Sequence, residues 1–144
     1  MIEIKFRGKR VDNGEWVYGY LIELGRYEST DKKRYGITDK AIPIGFDGVA
    51  YNIKINEVIP ETVGQFTGLL DKNGREIYEG DILVCQKWIG GNWIDYCIER
   101  GYVEMKLGAF GLHRKQGYYR PFKDWLEDYE FEVIGNIHDN KELL

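Results

Sequence analysis

The side chains of this chain best suited to nucleophilic or general-base chemistry are two histidines, two cysteines and a single serine. His138 and Asp139 are adjacent and could form a base–carboxylate pair, but adjacent residues of a strand point to opposite faces of the sheet. Ser29 lies in a polar segment, and a serine nucleophile needs a base and an orienting group within hydrogen-bond reach. The sequence therefore predicts no catalytic residue and no enzyme.

Metal chemistry is not indicated either. Cys85 and Cys97 are twelve positions apart and form no CxxC pair, so a zinc site is not predicted. Glu76, Glu79 and Asp81 are close together without the spacing of an EF-hand, and such charge clusters are commonly a solvated surface. We expect no metal and no other cofactor, and we expect the thiols to be buried in strands.

The segment HRKQGYYRPF, at 113–122, combines cations with aromatic rings, which is the composition of a nucleic-acid contact. The candidate contacts to phosphate are Arg114, Lys115 and Arg120. The net charge of −4 and the isoelectric point near 5.3 argue against a protein whose affinity comes from neutralising phosphates. The alternative is an exposed hairpin in which the stems of Arg and Lys cover neighbouring rings.

Aromatic residues offer a second kind of surface. They make up 15% of the chain, with eleven Tyr and four Trp, and both types are enriched at protein interfaces. Those near turns are the candidate contacts with a protein partner: Trp88, Trp93, Tyr118, Tyr119 and Trp125. Because strand edges and aromatic patches favour association, that partner could be a second copy of the chain in a homo-oligomer.

The elements that must position these side chains are short strands. Residues 2–11 alternate between apolar and polar, which is the period of a half-buried strand. Asn13-Gly14 and Asn73-Gly74 predict tight turns, since Asn and Gly accept positive φ. No window has the period of a long amphipathic helix, and no apolar run is long enough to span a membrane. The sequence predicts an all-β fold without a membrane partner.

The division of the chain is predicted from length and from one extended connection. A chain of 144 residues suggests one domain or two small ones. Val58-Ile59-Pro60 favours an extended link, because the residue before a proline avoids the helical region. We therefore predict an N-terminal β region at 1–57, with a polar loop at 25–40, and a second region at 58–144. The charged N-terminus and the sparse cysteines favour a cytoplasmic protein.

Three blocks of the sequence resemble the YopX family, which occurs in bacteriophages and in prophages of Gram-positive bacteria. They are IKFRGKRVDNGEWVYGYL near the start, IPETVGQFTGLLDKNGREIYEGDILV in the middle and FEVIGNIHDNKELL at the end. The segments at 25–55 and 86–125 match no family pattern. The resemblance implies an all-β (mainly β) protein with a small SH3-like barrel in the C-terminal part, on which the N-terminal β region packs. It implies no biochemical activity.

Within the middle block, Gly74, Gly80 and Asp81 are best explained by backbone geometry. Glycine permits the bend, and the carboxylate can accept hydrogen bonds from nearby turn amides. The resemblance implies a protein encoded by a phage or prophage, and the missing catalytic set favours an accessory role as a protein-interaction or self-assembly module. The alternative is a nucleic-acid-binding accessory factor in phage replication or gene control.

Overall fold

The structure, a computed structural model, describes residues 3–39, 54–114, 117–125 and 129–144; the side chains of residues 88 and 93–99 fall outside this description. The described residues form β-strands and short 3-10 turns without an α-helix. The predicted all-β class is confirmed. No helix of the described residues is long and apolar enough to cross a membrane.

The chain separates into two compact units, residues 1–65 and 66–144. The division into domains at 1–57 and 58–144 stays a prediction. The segment that follows residue 57 is bonded to the first strand of the first unit. The Ile59 amide donates to the Lys9 carbonyl at 2.8 Å, and the Lys9 amide donates to Thr62 Oγ1 at 2.9 Å. Those bonds explain why the first unit continues past the extended connection.

The first unit is an antiparallel sheet with the order β4-β3-β2-β1. Its strands are β1 Phe6–Lys9, β2 Trp16–Arg26, β3 Lys33–Thr38 and β4 Asn56–Val58, followed by a 3-10 turn at Pro60–Thr62 and by the start of β5, Gly64–Leu70. Gly64 and Gln65 pair with β1. A bridge between Arg10 and Val58 also joins β4 to the chain just after β1, so the sheet curls.

Two local predictions are tested in the first unit. Gly14 has a φ of +72° in the turn between β1 and β2, as the Asn-Gly signal predicts. The polar loop predicted at 25–40 is wrong in its second half, because β3 runs from Lys33 to Thr38. Pairing with β2 and β4 on its two sides and the burial of Ile37, which is 1% exposed, outweigh the polar composition of this segment.

The second unit contains a five-stranded antiparallel sheet with the order β10-β9-β8-β7-β11. The strands of that sheet are β7 Asp81–Ile89, β8 Asn92–Lys106, β9 Ala109–Arg114, β10 Tyr119–Pro121 and β11 Tyr129–Asn136. The unit also contains β6 Glu76–Tyr78 outside that sheet and 3-10 turns at Phe122–Asp124 and Lys141–Leu143. From Phe66 onward, β5 pairs with β6. The core consists of Ile77, Leu83, Val103, Leu112 and Val133.

The SH3-like barrel predicted for the second region is not confirmed. The five-stranded sheet ends at β10 on one side and at β11 on the other, and the described residues show no pairing between these two edges. A barrel requires a sheet that closes on itself. The barrel, and the packing of the N-terminal region on it, therefore stay predictions.

The middle block of the sequence forms turns, as its glycines predict. Gly74 and Gly80 have φ values of +80° and +89°. Asp81 is buried, and its Oδ2 accepts a hydrogen bond from the Tyr78 amide at 2.8 Å. The prediction that Asp81 serves backbone geometry is confirmed, and the expectation of a solvated acidic rim is wrong for this residue. Cys85 is buried in β7 as expected, whereas the Cys97 side chain lies outside the description.

Candidate functional site

The structure brings most of the predicted site residues of the second unit together where β9, β10 and the following 3-10 turn meet. We call this group the cation–aromatic cluster: Lys106, Arg114, Tyr118, Tyr119, Arg120 and Trp125. Each cation faces a ring: Arg114 lies 5.7 Å from the centroid of Tyr118, Lys106 lies 5.7 Å from that of Tyr119, and Arg120 lies 4.4 Å from that of Trp125. The charged groups of the cluster therefore lie against neighbouring rings of the same chain.

The aromatic members of the cluster differ in exposure. Tyr118 is 64% exposed, whereas Tyr119 and Trp125 are half-buried. Trp125 packs against the core, with its ring 5.1 Å from that of Phe131. The Tyr119 hydroxyl donates to the Ala109 carbonyl, and burial raises the pKa of Tyr119. Among the three rings of the cluster, only that of Tyr118 is largely exposed to a partner.

Three predicted site residues cannot be assigned to the cluster from the described part of the chain. Lys115 and the side chains of Trp88 and Trp93 lie outside the description. The backbones of the two tryptophans pair with each other across β7 and β8. Leu83 on β7 pairs with Gly101, which in turn pairs with Arg114, so Leu83 is level with Arg114 across the sheet. Trp88 lies five residues further along β7, which at about 3.3 Å per residue places the tryptophan pair about 17 Å from that level.

His113 is the described residue closest to general-base geometry. Its Nδ1 lies 2.8 Å from Glu104 Oε2, and its ring stacks on Tyr102 at 4.9 Å. A small cavity of about 240 Å³ is lined by Tyr102, His113, Arg114 and Leu144. None of these lining residues has an aliphatic hydroxyl or a thiol, so the described lining offers the base no nucleophile to activate.

His138 and Asp139 belong to a turn. The backbone amides of both residues donate to Asn136 Oδ1 at 3.0 Å. The Asp139 carboxylate accepts from Asn136 Nδ2 at 3.1 Å. This network shapes the chain after β11. Among the residues that the structure describes, no three His, Cys, Asp or Glu side chains converge in a way that could hold a metal ion.

A larger cavity lies in the first unit, and part of its lining comes from the segment predicted as a polar loop at 25–40. It has a volume of about 600 Å³, within the range of ligand sites in proteins. We call it the aromatic groove; the lining residues that matter below are Val11, Tyr27, Lys32, Tyr35, Pro60 and Glu61. The turn after β1 supplies Val11, the β2–β3 turn supplies Tyr27 and Lys32, β3 supplies Tyr35, and the 3-10 turn supplies the last two.

The charged side chains around the aromatic groove differ in whether they form ion pairs. Lys33 pairs with Glu23 at 3.2 Å, and Arg34 pairs with Glu57 while facing the Tyr27 ring at 5.8 Å. Within the described part of the chain, no residue pairs with the Lys32 ammonium or with the Glu61 carboxylate. The groove therefore combines an apolar and aromatic floor with one available cation and one available anion.

The sequence reasoning missed the aromatic groove because its residues come from distant positions. The sequence predicts a polar loop for Tyr27 and Tyr35, and an extended connection that leads into a turn at Pro60. Pairing of β3 with both β2 and β4 places Tyr35 beside the 3-10 turn. Two tyrosines within an otherwise polar segment are the signal that could have indicated a surface site.

Comparison with known proteins adds a family and a structural neighbour. A family model described as YopX protein matches residues 5–144. Among solved structures, the chain is similar to the crystal structure of protein EF1440 from Enterococcus faecalis, with 25% identity over 100% of this chain and 99% of that chain and a TM-score of 0.52. No curated protein matches the chain.

Proposed function

The chain belongs to the YopX family, and we propose that it is an accessory protein, encoded by a phage or prophage, that acts in the host cytoplasm as a protein-interaction module. The observation that carries the proposal is the aromatic groove of the first unit, about 600 Å³ in volume and lined by Tyr27, Tyr35 and Pro60. Grooves of aromatic and apolar residues bind the apolar side chains of protein segments.

The exposure of the groove supports binding. Val11 is 51% exposed and Tyr27 is 36% exposed, and both line the groove. Covering such apolar area contributes about 25 cal/mol per Å². Adjacent exposed apolar side chains mark interaction sites more often than isolated ones do. A partner that covers the groove would therefore remove an otherwise unfavourable surface from water.

The chemistry of the groove favours binding over catalysis. Among the residues of known placement that line it, none is a His, Cys or Ser. Its threonine, Thr30, donates its hydroxyl to the Tyr27 carbonyl at 3.1 Å and accepts from the Lys32 amide, so it is engaged in the turn. A nucleophile would need a base beside it. We therefore propose that the protein is not an enzyme.

The test compares capture of partners by groove variants and by a matched control. Tagged wild-type protein, Val11→Glu and Tyr27→Ser are used to pull down partners from prophage-induced cells, with half of each sample treated with nuclease. Tyr20→Ser is the control, because Tyr20 is exposed in the same unit and does not line the groove. We expect a protein that survives nuclease and is lost only with the groove variants. Equal capture by all four proteins would refute the proposal.

Self-association is part of the same proposal, with a second copy of the chain as the partner. Sedimentation of wild-type protein and of Val11→Glu over a range of concentrations tests it. We expect association of the wild type to weaken in the variant. A monomer at the highest concentration for the wild type would exclude a second copy and leave only a different protein as the occupant.

Binding of single-stranded nucleic acid is the second candidate function, and the exposed Tyr118 ring beside Arg114 favours it. Stacking of a base on an aromatic ring next to cations is the usual mode of such binding. The test is fluorescence anisotropy with labelled oligothymidine at several salt concentrations. If this function is present, the Arg114→Gln/Arg120→Gln variant binds more weakly and with a smaller salt slope, while Lys32→Gln/Lys33→Gln is unchanged. Binding that is unaffected by the first variant would remove this site.

A further inference from the structure

Resting on the proposed function, we infer that the occupant of the aromatic groove is a short, extended, proline-bearing peptide segment with an acidic residue at the end that meets Lys32. Four features of the first unit point to this occupant: the pairing of β3, the size of the groove, the rings that line it and the charges at its rim.

Strand addition to β3 is not available to the occupant. β3, which supplies Tyr35, is paired with β2 on one side and with β4 on the other. Strand addition needs a row of unpaired backbone groups at a sheet edge. The occupant must therefore bind through its side chains, and its own backbone groups must remain solvated. Polyproline II is the regular conformation that meets this condition, because it has no internal backbone hydrogen bonds.

The size of the groove favours a short segment. A volume of about 600 Å³ corresponds to a drug-sized ligand, which means a few residues of peptide. Isolated helices shorter than about 12 residues are marginal in water, so a segment of this length would not bring a preformed helix to the groove. An extended conformation is the one that such a peptide already populates.

The rings of the groove favour proline in the occupant. Tyr27 and Tyr35 line the groove together with Pro60, and proline-rich segments dock on aromatic-lined grooves. Proline fixes φ near −65°, so the free peptide has already lost much of its backbone freedom. Binding then costs less conformational entropy than it would for a glycine-bearing segment.

The rim charges give the occupant a direction. Lys33 is held by Glu23 at 3.2 Å, which leaves Lys32 as the cation without a partner among the described residues. Glu61, which follows Pro60 in the 3-10 turn, is exposed and would repel a second carboxylate. An acidic residue of the peptide therefore pairs with Lys32, while the proline-bearing part lies towards Pro60.

The test uses the full chain and fluorescein-labelled peptides in anisotropy titrations. The probe is Pro-Leu-Pro-Pro-Glu-Asp, compared with one peptide in which Gly replaces each Pro and with another in which Lys-Lys replaces Glu-Asp. We expect the glycine peptide to bind about fivefold more weakly, because its ordering costs more. We expect the basic peptide to bind about three- to fivefold more weakly, which is the scale of one exposed ion pair.

The variant Lys32→Glu tests the charge assignment. Lys32 is exposed and makes no side-chain bond to a described residue, so the variant is expected to fold as the wild type does, which thermal unfolding checks. We expect it to reverse the preference, with the basic peptide bound more tightly than the acidic one. An unchanged ranking overturns the assignment of the acidic end, and equal binding of the proline and glycine peptides overturns the proline requirement.

Failure of this inference can be told apart from failure of the proposed function. If no peptide binds but Val11→Glu still loses the captured protein, the occupant is not a proline-bearing segment and the interaction module stands. If Val11→Glu loses nothing in the pull-down, the proposed function itself fails. Binding of all three peptides to Val11→Glu with wild-type affinity places the site outside the aromatic groove and overturns the inference.

Discussion

Substituting Asp71 should destabilise the second unit more than substituting any exposed acidic residue. One carboxylate oxygen accepts hydrogen bonds from the amides of Asn73 and Arg75, at 2.8 and 2.9 Å. The other accepts from the Val133 amide at 3.1 Å. Asp71 is only 7% exposed, so a single side chain both closes the turn before β6 and ties it to β11, 62 positions away in the chain.

The expected cost follows from what each amide does without the carboxylate. In Asp71→Ala, the amides of Asn73 and Arg75 lie in an exposed turn and can bind water, so each loss costs about 1 kcal/mol. The Val133 amide is buried and would be left unsatisfied, which costs about 1–3 kcal/mol. The total is about 3–5 kcal/mol in the free energy of unfolding. In Asp71→Asn, one oxygen can still serve the turn, but an NH2 group faces the Val133 amide, so we expect about half that loss.

Urea unfolding followed by tryptophan fluorescence measures these values, since Trp88, Trp93 and Trp125 belong to the second unit. Asp31→Ala is the control, because its side chain is fully exposed and pairs with the exposed Arg26 at 3.1 Å; we expect no change in its free energy of unfolding. An Asp71→Ala variant within about 0.5 kcal/mol of the wild type, the range of ordinary surface substitutions, would refute this reasoning.

Three further outcomes are expected. Thr62→Val should destabilise the first unit by about 1–2 kcal/mol in thermal unfolding, because the Lys9 amide loses its acceptor at 2.9 Å; a wild-type melting temperature would contradict this. Gly101→Ala should cost about 2–3 kcal/mol in urea unfolding, since its Cβ would lie 2.2 Å from the His113 carbonyl oxygen. Burial raises the pKa of Tyr102 above its ordinary value of 10.0. The neutral phenol therefore contributes its full share to the free energy of unfolding below pH 10, and this contribution is lost as the pH rises through the raised pKa. Tyr102→Phe should therefore lose less stability above pH 10 than the wild type, and identical alkaline unfolding curves would exclude this.

Features encoded by neighbouring residues could be predicted from the sequence. The turn at Asn13-Gly14 forms because glycine accepts a φ of +72° there, and Gly80 bends the chain before β7 in the same way. The cation–aromatic cluster was also predictable, since Arg114, Tyr118 and Arg120 lie within seven residues of sequence and a hairpin brings such residues together.

Features that depend on distant pairing could not be predicted. The segment at 33–38 is polar and carries no strand period, and it becomes β3 only because β2 and β4 hydrogen-bond to it on both sides. The aromatic groove depends on that strand, because it places Tyr35 near Pro60. The burial of Trp125 against Phe131 likewise depends on packing between elements, which a count of aromatic residues cannot reveal.

Backbone-amide chemical-shift mapping of the isotope-labelled chain, titrated with the protein that the pull-down captures, tests the central claim most directly. If the aromatic groove is the binding site, the largest shifts should fall on Val11, Lys32, Tyr35 and Glu61, and they should vanish in Val11→Glu. Largest shifts on Tyr118 and its neighbours in the second unit, with the groove residues unchanged, would contradict it.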